Sequence, residues 1–226
     1  MPSHIPLEPR KAPRPPELVI FDCDGVLVDS ESIADRCFVD ALAEIGLRRT
    51  PAELARAFRG RRLDDCLDKA EAWLGRPLPE GFAEQLQART YAAFRSELEP
   101  ISGVAEALAV IVCDRGLDVC VASSGEPSKI AVSLATTGLV KYFGDRVFSA
   151  REVPRGKPAP DLFLDAAARC GALPERSVVI EDSLPGVEAG LAAGMEVLAF
   201  VAEPIPDLPP GVSTFTDMAE LPGLLE

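Results

Sequence analysis

The sequence is almost without histidine, the side chain that titrates nearest neutral pH. Its 226 residues include a single histidine, His4, which lies in a proline-rich N-terminal stretch. Ser-His-Asp and Cys-His catalysis, and metal sites built from several histidines, all need an imidazole that the fold holds in place. These classes of site are therefore excluded, and any catalysis must use carboxylates, hydroxyls, amines or a metal bound by oxygen.

Long apolar runs and an excess of cationic side chains are also missing. No apolar run approaches the roughly 18–20 residues of a membrane span, and the opening MPSHIPLEPRKAPRPP lacks the apolar segment of a signal peptide. Acidic residues outnumber basic ones, 36 to 23, for a net charge of −13, which does not suit a nucleic-acid or anionic membrane surface. We therefore expect a cytoplasmic protein, most simply a monomer, with neither nucleic-acid nor membrane partners.

The cysteine pattern gives no metal or redox motif. None of the six cysteines forms C-x-x-C, and no further histidine is available to complete a zinc site. In a chain of this length without an export signal, we expect reduced and mostly buried thiols rather than disulfides. A catalytic cysteine would need an activating base nearby, and the sequence offers none.

Four segments of different character divide the chain. Six prolines in residues 1–16 predict a flexible tail. Residues 31–98 show only helical spacing, broken by glycine and proline, and predict about four helices, over 30–46, 51–58, 61–74 and 79–98. This helical unit interrupts the catalytic core, which is predicted to comprise residues 17–30 and 99–226.

The core segments alternate between strands and helices. Strands are predicted at ELVIFD (17–22), LDVCVA (117–122), DRVFSA (145–150), SVVIED (177–182) and MEVLAF (195–200). Such alternation predicts an α/β fold with a Rossmann-like, doubly wound parallel sheet covered on both faces. The helical unit then forms an α-helical cap domain inserted after the first strand.

Chemically apt side chains follow several of these strands. Asp22 and Asp24 come after the first strand, and Ser123 and Ser124 after the second, where a hydroxyl and backbone N–H groups suit an anion. Lys157 precedes a later helix, and Glu181 and Asp182 end another strand. Open α/β sheets bind ligands at the carboxyl ends of their strands.

Taken together, these residues suit one chemistry. Carboxylates at i and i+2 repel each other and normally share a cation or a proton. Oxygen ligands favour Mg²⁺, and a lysine offsets charge on phosphoryl oxygens. The set therefore predicts a magnesium-bound phosphate site.

Four ordered motifs carry a resemblance to a known family. They are FDCDGVLVDS (21–30), VASSG (121–125), RGKPAPD (155–161) and VIEDS (179–183). With them the chain resembles the haloacid dehalogenase-like (HAD) phosphatase superfamily with a helical cap, in the β-phosphoglucomutase and sugar-phosphatase subgroup. SELEPISG (96–103) and GMEVLAF (194–200) are similar to its sugar-phosphatase branch, which includes 6-phosphogluconate phosphatase-like proteins.

The resemblance implies a role for each matched residue. Asp22 matches the nucleophile that forms an aspartyl-phosphate, and Asp24 the general acid/base. Mg²⁺ would be held by Asp22, the Asp24 backbone carbonyl and Asp182, with Glu181 acting through water. Ser123 and Lys157 match phosphate-binding positions, with Ser124 beside them. The resemblance thus implies an Mg²⁺-dependent phosphatase acting on a small phosphorylated metabolite, such as a sugar phosphate or sugar-acid phosphate.

Other functions remain open. A β-phosphoglucomutase-type phosphomutase shares all four motifs, but similar mutases carry a histidine where this chain has Ala34 and an arginine where it has Leu63. The superfamily's dehalogenases lack the second aspartate, whereas this chain has Asp24. A phospho-receiver orders its acidic residues differently and has no helical insertion. A non-catalytic phospho-ligand binding protein is the remote alternative.

The cap contains a cluster of arginines. Residues 31–98 hold 11 basic and 12 acidic side chains, so almost all of the net negative charge lies outside them. Arg59, Arg61 and Arg62 flank Gly60 in a predicted loop. Either they form a solvated basic surface, or one of them, with Arg59 and Arg62 as candidates, binds the distal end of an anionic sugar phosphate.

Overall fold

The described part of the chain forms a parallel sheet with helices on both faces. The structure is a computed structural model that describes residues 16–58, 61, 63–202 and 205–226. The predicted tail, apart from residue 16, lies outside the described residues. The strands are β1 (Leu18–Phe21), β2 (Asp118–Ser123), β3 (Val147–Ser149), β4 (Ser177–Glu181), β5 (Glu196–Phe200) and β6 (Ser213–Phe215).

All strand pairs in this sheet are parallel, and the strand order is β3-β2-β1-β4-β5-β6. The order reverses its direction between β1 and β4, which is the point where open α/β sheets bind ligands. The predicted α/β, Rossmann-like, doubly wound core is confirmed.

Alternation along β1 supplies the two hydrophobic cores. Val19 and Phe21 belong to one buried cluster, and Leu18 and Ile20 belong to the other. All four side chains are fully buried, because successive side chains of a strand point to opposite faces of the sheet and helices cover both faces. A parallel sheet needs such cover on each side.

Helices account for most of the remaining described residues. They are α1 (Glu31–Glu44), α2 (Pro51–Phe58), α3 (Leu63–Leu74), α4 (Phe82–Glu97), α5 (Val104–Leu108), α6 (Pro127–Thr136), α7 (Val140–Phe143), α8 (Asp161–Cys170), α9 (Leu184–Ala192) and α10 (Leu221–Leu224). Among the described residues, no helix combines the length and apolar character that crossing a membrane requires.

Helices α1 to α4 lie between β1 and β2 in the chain and are called the insertion here. All four coincide with predicted helices to within three residues at each end. Aromatic rings pack together inside the insertion. The centroid of the Phe38 ring in α1 lies 5.0 Å from the centroid of the Phe58 ring in α2 and 6.2 Å from that of the Phe82 ring in α4. Such pairs add to the stabilisation that burial of the rings supplies.

The sequence prediction missed several features, among them the short helix α10 (Leu221–Leu224). Strand β6 has only three residues, two of them exposed, so no apolar run marks it. Helix α7 is a single turn. The helix that begins with α5 continues through Ala109–Asp114 with wider, π-helical turns, and no propensity in the sequence signals this change of hydrogen bonding.

Glycines at four-residue intervals let α9 approach the sheet. An added Cβ on Gly186 would overlap the Glu181 carboxylate, and one on Gly190 would lie 2.7 Å from Cγ2 of Val197 in β5. Gly194 has a different role, because it follows the helix with φ +73°, a conformation that favours glycine. Close helix–sheet packing thus explains two of the three glycines.

We expect Gly190→Ala to lower the free energy of unfolding by about 1–3 kcal/mol, because the new methyl group overpacks the contact with Val197. Gly223→Ala is the matched control: Gly223 lies in α10, and its Cβ would meet no heavy atom within 4 Å. Urea denaturation of both variants measures the difference. Equal stability of Gly190→Ala and the wild type would contradict the close approach of α9 to β5.

Candidate active site

A cavity of about 190 Å³ lies where β1 and β4 end, between the edge of the sheet and the insertion. Its core wall contains nearly all the motif residues named above, namely Asp22, Asp24, Ser123, Ser124, Lys157 and Asp182. Asp22 follows β1 directly, and its backbone N–H donates to the carbonyl of Ile180 in β4 at 3.0 Å. The parallel register therefore brings residues about 160 positions apart in the sequence to one edge.

Lys157 links two carboxylates in this wall. Its Nζ lies 2.6 Å from Oδ1 of Asp22 and 2.5 Å from Oε1 of Glu181, and its side chain is only 1% exposed. Burial alone would lower the pKa of Lys157, but Asp22 and Glu181 outweigh it and raise the pKa above its usual range. The amine is therefore a permanent positive charge.

Asp22 is a carboxylate whose ionisation is unfavourable in this site. Burial is the largest effect, opposed by the attraction of Lys157 and reinforced by repulsion from Glu181 and then Asp24, and the sum raises the pKa of Asp22 to about 7. One lysine does not offset this crowding of negative charge. A further cation beside Asp22 would therefore stabilise the ionised form.

Glu181 is fully buried behind the cavity and serves as an anchor. Its Oε2 accepts hydrogen bonds from the backbone N–H of Asp182 at 2.9 Å, and from the backbone N–H and hydroxyl of Ser183 at 3.0 and 2.9 Å. Its Oε1 binds Lys157. The side chain thereby fixes the turn that carries Asp182.

Three carboxylates lie close enough to share a metal ion. One oxygen each from Asp22, Glu181 and Asp182 fall within 4.8 Å of one another. Gly25, at φ +80°, permits this closeness, because a Cβ at that position would overlap the Asp182 carboxylate. An all-oxygen donor set with an excess of negative charge fits Mg²⁺.

The Asp24 carboxylate forms an ion pair with Lys129, a residue that the sequence analysis did not identify. Both of its carboxylate oxygens lie 2.8 Å from Nζ of Lys129 in the first turn of α6, and the hydroxyl of Ser30 donates to Oδ1. Burial would raise the pKa of Asp24, but Lys129, followed by Ser30, outweighs it and lowers the pKa. The only sequence signal was the position of Lys129, six residues beyond Ser123.

Ser123 offers a hydroxyl to the cavity at the end of β2. Its Oγ accepts the backbone N–H of Gly125 at 3.0 Å, which leaves the hydroxyl proton for another acceptor. The carbonyl of Gly125 accepts a hydrogen bond from Ser149 Oγ at 2.6 Å, so strand β3 supports the turn. The arrangement suits an anion at this edge.

The insertion supplies the opposite wall, which mixes apolar and polar groups. Phe38, Phe58 and Leu86 line it together with Gln87 and Tyr91, and Gln87 Nε2 donates to the Tyr91 hydroxyl at 2.8 Å.

The arginine cluster of the insertion is described only in part. Arg61 lines the cavity. Arg59 and Arg62, the two arginines predicted to bind substrate, lie outside the described residues.

The cysteines carry no visible chemistry. All six are free thiols, and four of them are buried, as predicted. Cys66 lines the cavity, but burial raises its pKa to about 12, so the thiolate needed for nucleophilic attack is scarce at neutral pH.

Comparison with known proteins agrees with this geometry. A family model for haloacid dehalogenase-like hydrolases matches residues 16–194. The chain is 36% identical over 211 residues to 6-phosphogluconate phosphatase of Escherichia coli (strain K12), a match that covers 92% of this chain and 94% of the relative.

Solved structures resemble the chain over more than nine-tenths of its length. A HAD family hydrolase from Deinococcus radiodurans R1, solved with bound phosphate and sodium, superposes with a TM-score of 0.73 at 36% identity and covers 93% of this chain and 95% of its own. A putative β-phosphoglucomutase from Thermotoga maritima gives a TM-score of 0.73 at 29% identity, with 92% and 98% covered. With the fold, the ordered motifs and these matches in agreement, the chain belongs to the haloacid dehalogenase-like hydrolases.

Proposed function

We propose that the protein is an Mg²⁺-dependent phosphatase that hydrolyses a small sugar phosphate or sugar-acid phosphate through an aspartyl-phosphate. One observation carries the proposal: Asp22, Asp24, Ser123, Lys157 and Asp182, from separate segments of the chain, line the same cavity. The names of the relatives support the substrate class, since one of them is a 6-phosphogluconate phosphatase.

In this proposal each side chain acts on a defined part of the reaction. An oxygen of Asp22 attacks phosphorus, while Lys157 offsets the negative charge that the incoming phosphate brings toward that carboxylate. The hydroxyl of Ser123 and the adjacent turn with Ser124 bind phosphoryl oxygens. Asp24 gives a proton to the leaving oxygen and takes one from the water that later attacks.

Asp22, Asp182 and the Asp24 backbone carbonyl would hold the Mg²⁺, with Glu181 acting through water. When bound, the ion neutralises charge on the phosphoryl group. The donor set fits this role, because the carboxylate oxygens of Asp22, Glu181 and Asp182 lie within 4.8 Å of one another.

Residues 31–98 serve as the cap in this proposal, and residues 17–30 and 99–226 as the catalytic core. Two contacts support closure of the cap over the site. Arg151 in the core binds Asp64 of α3 bidentately and Glu126 through Nε at 2.5 Å. The hydroxyls of Tyr91 in α4 and Ser128 in α6 lie 2.9 Å apart. A closed cap excludes water from the reacting groups.

Two apolar side chains favour a hydrolase over a phosphomutase. Ala34 and Leu63 occupy the positions where similar mutases have a histidine and an arginine, and both line the cavity. Neither side chain can donate to a second phosphate or relay a proton. Incubation with β-glucose 1-phosphate separates the two functions: we expect free phosphate, and glucose 6-phosphate would instead indicate a mutase.

A panel of phosphorylated metabolites tests the substrate class. With Mg²⁺ present, we expect phosphate release from sugar and sugar-acid phosphates, including 6-phosphogluconate. Failure to hydrolyse any ester in a broad panel would overturn the proposal and favour a phospho-ligand binding protein.

We expect Asp22→Asn to reduce turnover by about four orders of magnitude or more, because the amide cannot form the acyl-phosphate. The fold should remain intact, since Asn has the size of Asp and the carboxylate is not stabilised at this crowded position. Asp40→Asn, on the exposed side of α1, is the matched control and should retain full activity. Steady-state kinetics, with acid-quench trapping of phosphoenzyme, measure the effect. Substantial turnover by Asp22→Asn would refute the nucleophile assignment.

Removal of the metal by EDTA should abolish activity, and added Mg²⁺ should restore it, because the carboxylates need a cation to accept a phosphate dianion. Added Mg²⁺ should also raise the melting temperature of the wild type by binding the folded state. This shift should vanish in Asp182→Asn and persist in Asp165→Asn, whose carboxylate lies in α8 outside the cavity. Activity that survives exhaustive chelation would contradict the metal assignment.

Glu181→Gln should destabilise the protein by about 3 kcal/mol, since it leaves the buried Lys157 with one carboxylate partner. The amide N–H groups of the new side chain would also face the N–H and O–H groups that donate hydrogen bonds to Glu181. Turnover should fall as well, because Lys157 and Asp182 lose their anchor. The control is Glu196→Gln, an exposed carboxylate at the start of β5. Urea unfolding and kinetics report both effects. An unchanged free energy of unfolding would show that Glu181 does not anchor Lys157.

A further inference from the structure

Lys129 is a partly buried lysine in the cavity that the family motifs do not include. It lies in the first turn of α6, and its side chain is 23% exposed. Its Nζ approaches both oxygens of Asp24 at 2.8 Å and lies 5.7 Å from the centroid of the Phe94 ring in α4. The amine thus occupies the space between the proposed general acid/base and the insertion.

A purely structural role explains this pair poorly. Both side chains of the pair are largely withdrawn from water, at 23% exposed each, which has a cost, and such a pair often stabilises a fold no better than apolar side chains would. The pair also lines a cavity instead of filling a packed core. Its position beside a reacting carboxylate is therefore the feature that needs an explanation.

Lys157 and Lys129 contact different carboxylates. Lys157 binds Asp22 and Glu181, on the side of the nucleophile. Lys129 and the hydroxyl of Ser30 bind Asp24 alone. Because Asp24 would act on the leaving oxygen and on the attacking water, a group that orients its carboxylate affects proton transfer and not the attack of Asp22 on phosphorus.

We propose that Lys129 is a positioning residue for proton transfer at Asp24, an inference that rests on the proposed phosphatase function. In the first half-reaction an Asp22 oxygen bonds to phosphorus, the phosphorus–oxygen ester bond breaks, and the leaving oxygen takes the proton of Asp24. Water then attacks the aspartyl-phosphate, its proton returns to Asp24, and the bond between phosphorus and Asp22 breaks. Lys129 stays protonated throughout and holds the carboxylate between the two transfers.

Substrates with different leaving groups test this role. p-Nitrophenyl phosphate releases a stable anion that needs no proton, whereas a sugar phosphate releases an alcohol. For Lys129→Met we expect kcat/KM, which reports the first half-reaction, to fall about 100-fold with the best sugar phosphate. With p-nitrophenyl phosphate the fall should stay below about 5-fold, although kcat should drop and phosphoenzyme accumulate, because only the second half-reaction is slowed. Lys129→Arg, which keeps the charge, should recover part of the loss.

Two further variants separate positioning from folding. Lys129→Met introduced into Asp24→Ala should cause no further loss, because the two residues act as one unit. Lys141→Met, an exposed lysine in α7, is the matched control and should behave as wild type. If the melting curve of Lys129→Met shows that this variant is unfolded, Lys129→Gln is measured in its place.

Each result bears on the inference. Equal loss of kcat/KM with both esters, or no loss with either, overturns the role of Lys129 and leaves the phosphatase function in place. Wild-type protein that hydrolyses neither ester overturns the proposed function and this inference with it. Selective loss with the sugar phosphate, absent in the Asp24→Ala background, supports positioning.

Discussion

The crowding of carboxylates at the ends of β1 and β4 is the constraint on which the rest of the site depends. Asp22, Asp24, Glu181 and Asp182 lie within one small region that is largely closed to water, where like charges repel strongly. Two ammoniums, those of the buried Lys157 and the partly buried Lys129, offset part of this charge. The raised pKa of Asp22 shows that the balance is incomplete. The proposed divalent cation and the proposed positioning role of Lys129 both address this single electrostatic problem.

The carboxylates can lie this close together because the backbone approaches them closely at two glycines. Gly25 and Gly186 leave room for the carboxylates of Asp182 and Glu181, where any Cβ would overlap them. The carboxylate of Glu181 in turn holds Lys157 and the N-terminal turn of α9. The packing of α9 on the sheet therefore also fixes the geometry of the site. A substitution that loosens this helix also moves the charged groups of the site.

The insertion completes the site from the other side. It adds apolar rings and a hydrogen-bonded Gln87–Tyr91 pair to a cavity whose core wall is almost entirely polar. Arg151 connects the insertion to the core through Asp64. Because this pair is bidentate and Arg151 also binds Glu126, it is of the kind of exposed ion pair that can contribute measurably to stability. Phe94 extends the insertion toward Lys129, and hence toward the proposed acid/base.

The local pattern of the sequence determined the element types, the sheet class and the motif residues. Apolar runs such as LVIF and the helical spacing of residues 31–98 follow from side-chain chemistry along a short stretch, and both predictions were confirmed. Strand β6 was not predicted, because three edge residues carry no periodic signal. The place of Lys129 in the site was not predicted either, for a different reason. A lysine in the first turn of a helix looks like any surface lysine, and only the tertiary packing of α6 against β3 and α4 brings its amine to Asp24. Which charges meet is decided by the fold, since electrostatic pairing depends on distance in space and not in sequence.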